Sequence, residues 1–233
     1  YQPPIEPLQV LYQDKDLLIL NKPSGLLTNP GRGAHLADCL LQRVQQEYPT
    51  ALLVNRLDLA TSGLVVMALR KKAEAALKQQ FADRTVKKLY LARVWQQPAE
   101  PKGTLQYPLL ADPAAPPRNK VCWQHGKAAT TFYRCLPEQP SQPHALVALT
   151  PLTGRAHQLR VHLQQLGHPI LGDQLYAPAA AVKAAPRLLL HATKLALYQP
   201  YSGQQLCFFA PPDAAVFGIN SQTNLSELSF ECD

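Results

Sequence analysis

The sequence predicts an α+β fold with a mixed, largely antiparallel sheet and flanking helices. Two observations predict this class: stretches with strand character outnumber those with helical spacing, and most of the strand-like stretches form hairpins around short turns. The chain has 233 residues, of which 46% are hydrophobic and 17% charged, so it can bury the core of one large domain or two small ones. The same composition excludes collagen-like, coiled-coil and disordered classes.

The first part of the chain alternates strands and helices. Residues 10–20 place two apolar runs around a polar turn, which predicts a hairpin, and residues 21–25 and 29–33 then break the pattern. The next predicted elements are a helix over 36–48, a wholly apolar strand over 63–69, an amphipathic helix over 72–84 and a strand over 89–95.

The second part is richer in strands. Residues 97–120 contain many prolines, and we expect a meandering connection with little regular structure there. The elements predicted after it are strands over 128–136 and 145–149, a helix over 158–166, and a final hairpin formed by 188–198 and 206–209.

Positive charge is concentrated in one segment. The formal net charge is +7, and residues 70–93 hold eight Lys and Arg against two acids, a net +6. A solvated helix face is the usual meaning of such a run, but this excess favours a surface that contacts an anion. Residues 213–233 carry four acids and no cation, which predicts an acidic, loosely packed tail.

The five cysteines indicate a reducing compartment. They are scattered, odd in number and never spaced as C-x-x-C, so reduced thiols are favoured over disulfides or a zinc site. No apolar run reaches the roughly 18 residues that a membrane span needs, and no signal peptide is visible. We therefore expect a cytoplasmic protein with no membrane association.

Residues 55–63 (NRLDLATSG) are the first of three segments that look specified beyond packing. A carboxylate, Asp58, follows Arg56 between two apolar runs, and turn-forming residues come after it. Asp and Ser favour turns for ordinary hydrogen-bonding reasons, so by itself this segment is interpreted as a structural turn.

The second segment is 154–162 (GRAHQLRVH), at the start of a predicted helix. His157 and His162 are five residues apart with no Glu between them, which argues against zinc. A basic exposed face is the simplest interpretation. However, Arg160 is flanked by apolar residues, and such an arginine often has a buried carboxylate partner because an unpaired buried charge is costly.

The third segment is Lys87 to Tyr90. Strand alternation puts Tyr90 on the side of Ala92 and Val94, where a core tyrosine is the usual explanation. The sequence contains no G-x-x-x-x-G-K-[ST], G-x-G-x-x-G or G-x-S-x-G motif. Nucleotide hydrolysis, dinucleotide binding and the serine-hydrolase elbow therefore have no support, and no cofactor or metal is expected.

Taken together and in order, the motifs over residues 8–212 resemble the RluA family of RNA pseudouridine synthases. These motifs are Asn21-Lys22-Pro23-Ser24-Gly25, Arg56-Leu57-Asp58 with Thr61-Ser62-Gly63, Lys88-Leu89-Tyr90, Thr153-Gly154-Arg155 with His157-Gln158-Leu159-Arg160-Val161-His162, Gly167-His168-Pro169-Ile170 with Gly172-Asp173, and Leu190-His191-Ala192. The likeness is closest to the short member that acts on both 23S ribosomal RNA and tRNA. It implies the pseudouridine synthase fold with a catalytic cleft over 9–212 and no S4 module. Residues 1–8 are then expected to form an N-terminal extension, and the acidic tail over 213–233 has no counterpart in the family.

The resemblance also implies roles for individual residues. Asp58 would be the catalytic aspartate, Arg160 the arginine that pairs with it, and Tyr90 the tyrosine that stacks on the uracil. Arg56 would fill the gap left by a flipped nucleotide. The further residues expected to bind RNA are Lys88, Arg155 and His157. The implied partners are 23S ribosomal RNA and tRNA, acted on by a monomer with no protein partner, no cofactor and no metal.

One position departs from the family, and two other functions are weighed. The family often has His where this chain has Asn55, which affects the expected positioning of the loop. A catalytically silent RNA-binding protein on the same fold is less favoured, because Asp58, Tyr90 and Arg160 are all present. A glycosidase normally uses two carboxylates, and the three segments contain no second one.

Overall fold

The structure, a computed structural model, describes residues 1–137, 143–220 and 223–230. The strands of the described residues are β1 (Gln9–Gln13), β2 (Leu17–Lys22), β3 (Leu52–Leu53), β4 (Ser62–Ala68), β5 (Lys87–Val94), β6 (Lys102–Leu105), β7 (Leu109–Ala111), β8 (Asn119–Val121), β9 (Thr131–Cys135), β10 (Ala145–Pro151), β11 (Leu190–Tyr198) and β12 (Gln205–Phe209). The helices are α1 (Leu40–Glu47), α2 (Lys71–Ala82), α3 (Gln158–Gln165), α4 (Ala179–Lys183) and α5 (Ala214–Phe217), with 3-10 turns at Ala34–Leu36 and Leu225–Glu227.

The chain forms two compact units, and the first contains residues 1–87 and 192–212. Its strands run in the order β1-β2-β4-β11, while β3 pairs with β4 and β12 pairs with β11. The pairs β1/β2, β2/β4, β3/β4 and β11/β12 are antiparallel. All seven residues of β4 are buried, which explains its unbroken apolar sequence, and α2 lies against β3 and β4.

The second unit contains residues 88–191 and the described residues from 213 onwards. Its main strands run in the order β5-β10-β9-β6, each antiparallel to its neighbour. Strands β7 and β8 form a separate two-stranded sheet. A small buried cluster joins this hairpin to α3; its members are Leu109, Ala129, Val161 and Tyr176, with Val121 and Leu175 packed against them. The predicted α+β class with a mixed, mostly antiparallel sheet is confirmed.

Most of the predicted elements are present. The two hairpins, the apolar strand β4 and the helices α2 and α3 are confirmed to within a few residues, and α1 is shorter than predicted because a 3-10 turn precedes it. The prediction of little regular structure over 97–120 is wrong, since this segment contains β6, β7 and β8. Its prolines all lie outside the three strands, where a missing N–H group costs no ladder hydrogen bond.

Part of the segment after residue 212 is packed around Phe217, although most of its described residues are exposed. The ring of Phe217 is 1% exposed. The guanidinium of Arg93, itself 4% exposed, donates to the carbonyl oxygens of Phe217 (2.9 and 2.8 Å), Gly218 (3.0 Å) and His144 (2.9 Å). A cation satisfies the carbonyl groups left at the end of a short helix, and this contact holds 213–219 in place. Residues 221–222 and 231–233 of the predicted tail lie outside the described residues.

Candidate active site

The loop that carries Asp58 connects β3 to β4, and the side chain of Lys22 binds its backbone. This lysine is fully buried, and its ammonium group donates to the carbonyl oxygens of Pro23 (2.9 Å), Leu26 (2.7 Å) and Leu59 (3.1 Å). The carbonyl of Leu59 also accepts from the backbone N–H of Gly25 at 2.9 Å. A buried ammonium is tolerable only when such acceptors surround it. The first family motif therefore fixes the backbone one residue beyond Asp58.

Two hydroxyl groups complete the attachment of this loop. The hydroxyl of Ser24 donates to the carbonyl of Ala60 at 2.7 Å. The hydroxyl of Thr28 donates to the carbonyl of Leu57 at 2.7 Å and accepts from the N–H of the same residue at 3.2 Å. Side-chain bonds to both sides of Asp58 substitute for the ladder bonds that a loop lacks.

The side chains of the loop divide between the interior and the surface. Leu57 is 8% exposed and anchors the loop, whereas Arg56 is exposed and Asp58 is half-buried. The N–H of Thr61 donates to the carbonyl of Asp58 at 3.1 Å, which closes a tight turn. A carboxylate and a guanidinium are thus presented on a loop with a constrained backbone, and such a carboxylate can act as a base or as a nucleophile.

Asn55 and Gly63 fix the two ends of this loop. The side-chain oxygen of Asn55 accepts from the N–H of Val66 in β4 at 2.7 Å, so the residue that departs from the family still positions the loop. Gly63 has φ 110°, and a β-carbon there would lie 2.3 Å from the carbonyl oxygen of Ala192. Only glycine fits this position, which accounts for the end of the Thr-Ser-Gly motif.

In the second unit, Lys88 and Tyr90 lie on β5 and alternate with buried residues. Both side chains are half-buried. Tyr90 is paired with Leu149 of β10, and the ammonium of Lys88 donates to the carbonyl of Thr153 at 3.3 Å. A core tyrosine was the ordinary expectation at position 90, but its half-buried ring keeps part of its surface available to a ligand.

Gln158 organises the segment that precedes α3. It is 4% exposed, and its carbonyl oxygen accepts from the hydroxyl of Thr153 (2.7 Å) and the N–H of Arg155 (3.0 Å). Its amide donates to the carbonyl of Thr130 (3.0 Å) and the hydroxyl of Thr131 (2.9 Å). The spacing of Thr, Arg and Gln in this motif is therefore a hydrogen-bond requirement.

Arg160 forms a buried bidentate pair with Asp173. Its Nε and Nη2 donate to the two carboxylate oxygens at 2.8 and 2.7 Å, and the two residues are 5% and 1% exposed. The carboxylate also accepts from the N–H groups of Leu175 and Tyr176, at 2.9 and 3.2 Å. The prediction that this arginine has a buried carboxylate partner is confirmed. The pairing with Asp58 that the resemblance implies stays a prediction.

His157 immediately precedes α3 and has a left-handed backbone conformation, with φ 55°. Its Nδ1 lies 2.7 Å from the hydroxyl of Tyr176, which accepts from the N–H of Asn119 at 2.8 Å. The tyrosine hydroxyl therefore bridges the imidazole of His157 and the backbone N–H of Asn119. The guanidinium of Arg160 lies over the same tyrosine ring, 5.1 Å from its centroid.

His162, further along α3, is a structural residue. It is fully buried, its Nε2 lies 3.0 Å from the carbonyl oxygen of Tyr107, and burial lowers the pKa of its imidazole. Within the described residues, no three His, Cys, Asp or Glu side chains cluster as metal ligands do. No helix there is long and apolar enough to span a membrane.

The basic segment 70–93 divides between surface and interior. The exposed cations of its first-unit part are Arg70, Lys71, Lys72, Lys78, Arg84 and Lys87. Arg93 is buried and bound to backbone carbonyls, so counting it in an anion-contacting surface was wrong. The charge pattern alone did not distinguish it from its neighbours.

The predicted site residues fall into two groups, one in each unit. Arg56 and Asp58 share one loop of the first unit. In the second unit, Lys88 and Arg155 bond to Thr153 and Gln158, whereas His157 and Arg160 bond to Tyr176 and Asp173. Tyr90 shares β5 with Lys88. The supporting residues without a predicted role were Lys22, Asn119, Asp173 and Tyr176. Lys22 and Asp173 belong to two of the motifs that resemble the family, and this membership was the sequence signal that could have identified them.

Comparisons with known proteins agree with these motifs. Residues 16–165 match the family model described as RNA pseudouridylate synthase. The chain is 50% identical over 214 residues to the dual-specificity RNA pseudouridine synthase RluA of Escherichia coli K12, covering 91% of this chain and 97% of that protein. It is 45% identical over 213 residues to the protein of the same name from Pasteurella multocida, with 91% and 97% covered.

A solved structure agrees with the fold. Human RNA pseudouridylate synthase domain containing 1 superposes with a TM-score of 0.78 at 26% identity, covering 97% of this chain and 95% of that one. The predicted pseudouridine synthase fold is confirmed. The chain therefore belongs to the RNA pseudouridylate synthase family, and it is an enzyme of that family, an isomerase.

Proposed function

We propose that this enzyme converts specific uridines in structured RNA loops to pseudouridine, in 23S ribosomal RNA, in a tRNA anticodon stem-loop, or in both. The observation that carries the proposal is the 50% identity over 91% of the chain to a relative named for dual specificity. The reaction breaks the N1–C1′ bond of uridine, turns the base and rejoins it through C5. Nothing is oxidised or hydrolysed, so the chemistry requires no cofactor.

Asp58 is the proposed catalytic residue. Cleavage of the N1–C1′ bond builds positive charge on the sugar, and an ionised carboxylate beside it either attacks C1′ or removes the proton from C2′. Both roles require a carboxylate whose position does not drift. The bonds from Lys22, Ser24 and Thr28 to the backbone around Asp58 support this assignment.

Arg160 is proposed to pair with Asp58 and to hold that carboxylate in its charged form. A guanidinium has five N–H donors in a rigid fork, and Asp173 engages Nε and Nη2. A neighbouring cation favours the ionised state of an acid.

Tyr90 and Arg56 are proposed to handle the flipped nucleotide. A base inside a stacked loop cannot react, so it must leave the stack. The half-buried ring of Tyr90 would stack on the uracil, and its hydroxyl is the proposed base for the last C5 proton. Exposed Arg56 would occupy the gap that the nucleotide leaves.

The remaining site residues are proposed to hold the RNA backbone. Arg155 is exposed, and the imidazole of His157 is half-buried, with its Nδ1 beside the hydroxyl of Tyr176. Lys88 lies beside them through its bond to Thr153. Cations at these positions and along α2 can contact phosphates of a splayed RNA loop.

We also propose that the catalytic domain is 9–212, with 1–8 as an N-terminal extension and 213–233 as an acidic C-terminal tail that packs against the second unit around Phe217. The protein is proposed to act in the cytoplasm as a monomer without a protein partner. Analytical ultracentrifugation with and without RNA tests the oligomeric state. A concentration-dependent dimer in the absence of RNA would contradict the monomer.

The substrate is tested by mapping pseudouridines in total RNA from cells that have or lack this protein. The deletion is expected to remove modification at a few uridines of 23S ribosomal RNA, tRNA or both, and the wild-type gene to restore it. Asp58→Asn should not restore it, whereas Glu47→Gln, which removes an exposed carboxylate from α1, should. No change at any uridine would refute the proposal.

A further inference from the structure

Trp123 is an exposed aromatic residue with no role in the catalytic scheme above. Its side chain is 72% exposed, although tryptophan is usually well buried. It stands in the turn that follows β8, in the unit that also holds Tyr90 and Arg160.

The turn that presents Trp123 is held by backbone hydrogen bonds. The N–H of Cys122 donates to the carbonyl of Pro108 at 2.9 Å, and the N–H of Gly126 donates to the carbonyl of Cys122 at 2.8 Å. A β-carbon at Gly126 would lie 2.3 Å from the Cys122 oxygen, so the turn is packed tightly against its own backbone. The indole is displayed by an ordered turn.

The indole of Trp123 contacts Tyr107, which in turn contacts His162 of α3. The rings of Trp123 and Tyr107 pack edge-on with centroids 6.3 Å apart, and Tyr107 packs in the same way against His162 at 5.6 Å. His162 lies two residues after Arg160 on the same helix. A row of ring contacts thus connects the indole to the helix that carries Arg160, a proposed active-site residue.

The segment 107–127, which contains the β7/β8 hairpin and Trp123, is basic. Residues 107–127 contain three Lys and Arg against one acid, a net +2. Arg118, Lys120 and Lys127 are all exposed, and the single acid, Asp112, accepts from Lys120 at 3.0 Å. An exposed aromatic ring among cations is the arrangement with which proteins bind single-stranded nucleic acid.

We infer that Trp123 is a stacking platform for one unpaired base of the substrate RNA, with the cations of the hairpin contacting the adjoining phosphates. The inference rests on the proposed RNA substrate and deepens it. Indole binds any base through its π-face, so the platform adds affinity with little sequence preference. A protein partner is the less favoured occupant, because interface cores are depleted in charge whereas this surface is cationic.

Fluorescence tests the stacking directly, because the chain has two tryptophans, Trp95 and Trp123. In a Trp95→Phe variant, Trp123 is the only indole, and an anticodon stem-loop RNA is expected to quench its emission as a base stacks. In a Trp123→Phe variant, the same RNA should leave the emission of Trp95 nearly unchanged. Absence of quenching in Trp95→Phe at RNA concentrations above KM would overturn the inference.

Kinetics separate a binding platform from a structural residue. Trp123→Ala is expected to raise KM for the stem-loop about tenfold while kcat stays within about twofold, and Trp123→Phe should recover most of the affinity. Lys127→Gln should reduce the slope of log KM against log salt by about 0.7, the value for one phosphate contact on a single strand. Thermal unfolding of Trp123→Ala should match the wild type, since the side chain is largely exposed.

The outcomes distinguish this inference from the proposed function. If the wild-type enzyme forms pseudouridine but Trp123→Ala has an unchanged KM, the platform is refuted and the function stands. If Trp123 binds a protein partner and not RNA, KM will also be unchanged in Trp123→Ala, and RNA will not quench the emission of Trp123. If the wild-type enzyme modifies no RNA, the proposed function itself fails.

Discussion

The ammonium group of Lys22 lies 3.1 Å from the carbonyl oxygen of Leu59, the residue that follows Asp58. Because Lys22 also caps Pro23 and Leu26, one buried charge ties the end of β2 to the loop of the proposed catalytic carboxylate. The positions of reacting groups must be held closely for catalysis, and a misplacement of 1 Å can lower the rate about a hundredfold.

Lys22→Met should therefore affect both folding and turnover. Three carbonyl groups lose a buried donor, and we expect the free energy of unfolding to fall by about 3 kcal/mol or more. We expect kcat to fall about a hundredfold with little change in KM for RNA. Urea unfolding and steady-state kinetics measure the two effects. Lys15→Met, at an exposed position, is the control, and equal behaviour of the two variants would contradict this role.

Asp173→Asn should destabilise the protein strongly. The change removes the charge of the bidentate partner of the buried Arg160 guanidinium, and breaking a buried pair typically costs about 3–5 kcal/mol. Asp38→Asn is a matched control, because Asp38 also forms a bidentate pair, with Arg43, but its side chain is 45% exposed. We expect the control to cost less than about 1 kcal/mol. Similar losses in the two variants, measured by urea unfolding, would exclude a special role for the buried pair.

The burial of the His162 imidazole should make the stability of the protein depend on pH. Burial lowers the pKa of this imidazole in the folded state, opposed by its hydrogen bond to Tyr107, and burial also lowers the pKa of His144. The unfolded protein then binds more protons than the folded protein in mildly acidic solution. Stability should be fully present above about pH 6.5, the unfolded value, and should be lost as the pH falls through the folded pKa.

The measurement is urea unfolding between pH 7.5 and pH 5. We expect the slope of the unfolding free energy against pH to be positive in the wild type and smaller in His162→Asn. A variant with the wild-type slope would show that His162 does not titrate as burial requires.

Phe217→Ala should destabilise the second unit even though the residue lies in the segment predicted to be a loose tail. Its ring is 1% exposed and contacts His191 and Arg187, so truncation should cost about 3–5 kcal/mol. Ile5→Ala, at a side chain that is 99% exposed, should cost less than about 0.5 kcal/mol. A Phe217→Ala variant as stable as the Ile5→Ala control would support the loose tail after all.

The elements that the sequence predicts correctly are those with a local signal. Strand β4 is buried throughout, so its apolar run is sufficient to identify it. Strands β6, β7 and β8 are three or four residues long and lie near prolines. Strand β6 pairs with the distant β9, and the short β7 and β8 pair only with each other. No local pattern distinguishes such a strand from an irregular connection.

The candidate site divides in the same way. Motif order identifies Asp58 and Arg160, and apolar flanks predict that the arginine has a carboxylate partner. The sequence does not show that the partner is Asp173, because this residue lies 13 positions after Arg160 and is brought to it by the path of the chain after α3. The motif singles out Lys22, but its role in holding the loop could not be predicted because its acceptors are backbone carbonyls, which every residue possesses.

The most direct test of the account is pseudouridine formation by Asp58→Asn, followed as tritium release from RNA carrying 5-tritiated uridine. We expect release to fall at least about a thousandfold while the variant keeps its fold and its affinity for RNA, and Glu47→Gln to react at the wild-type rate. Near wild-type release by Asp58→Asn would contradict the central claim that this carboxylate performs the reaction.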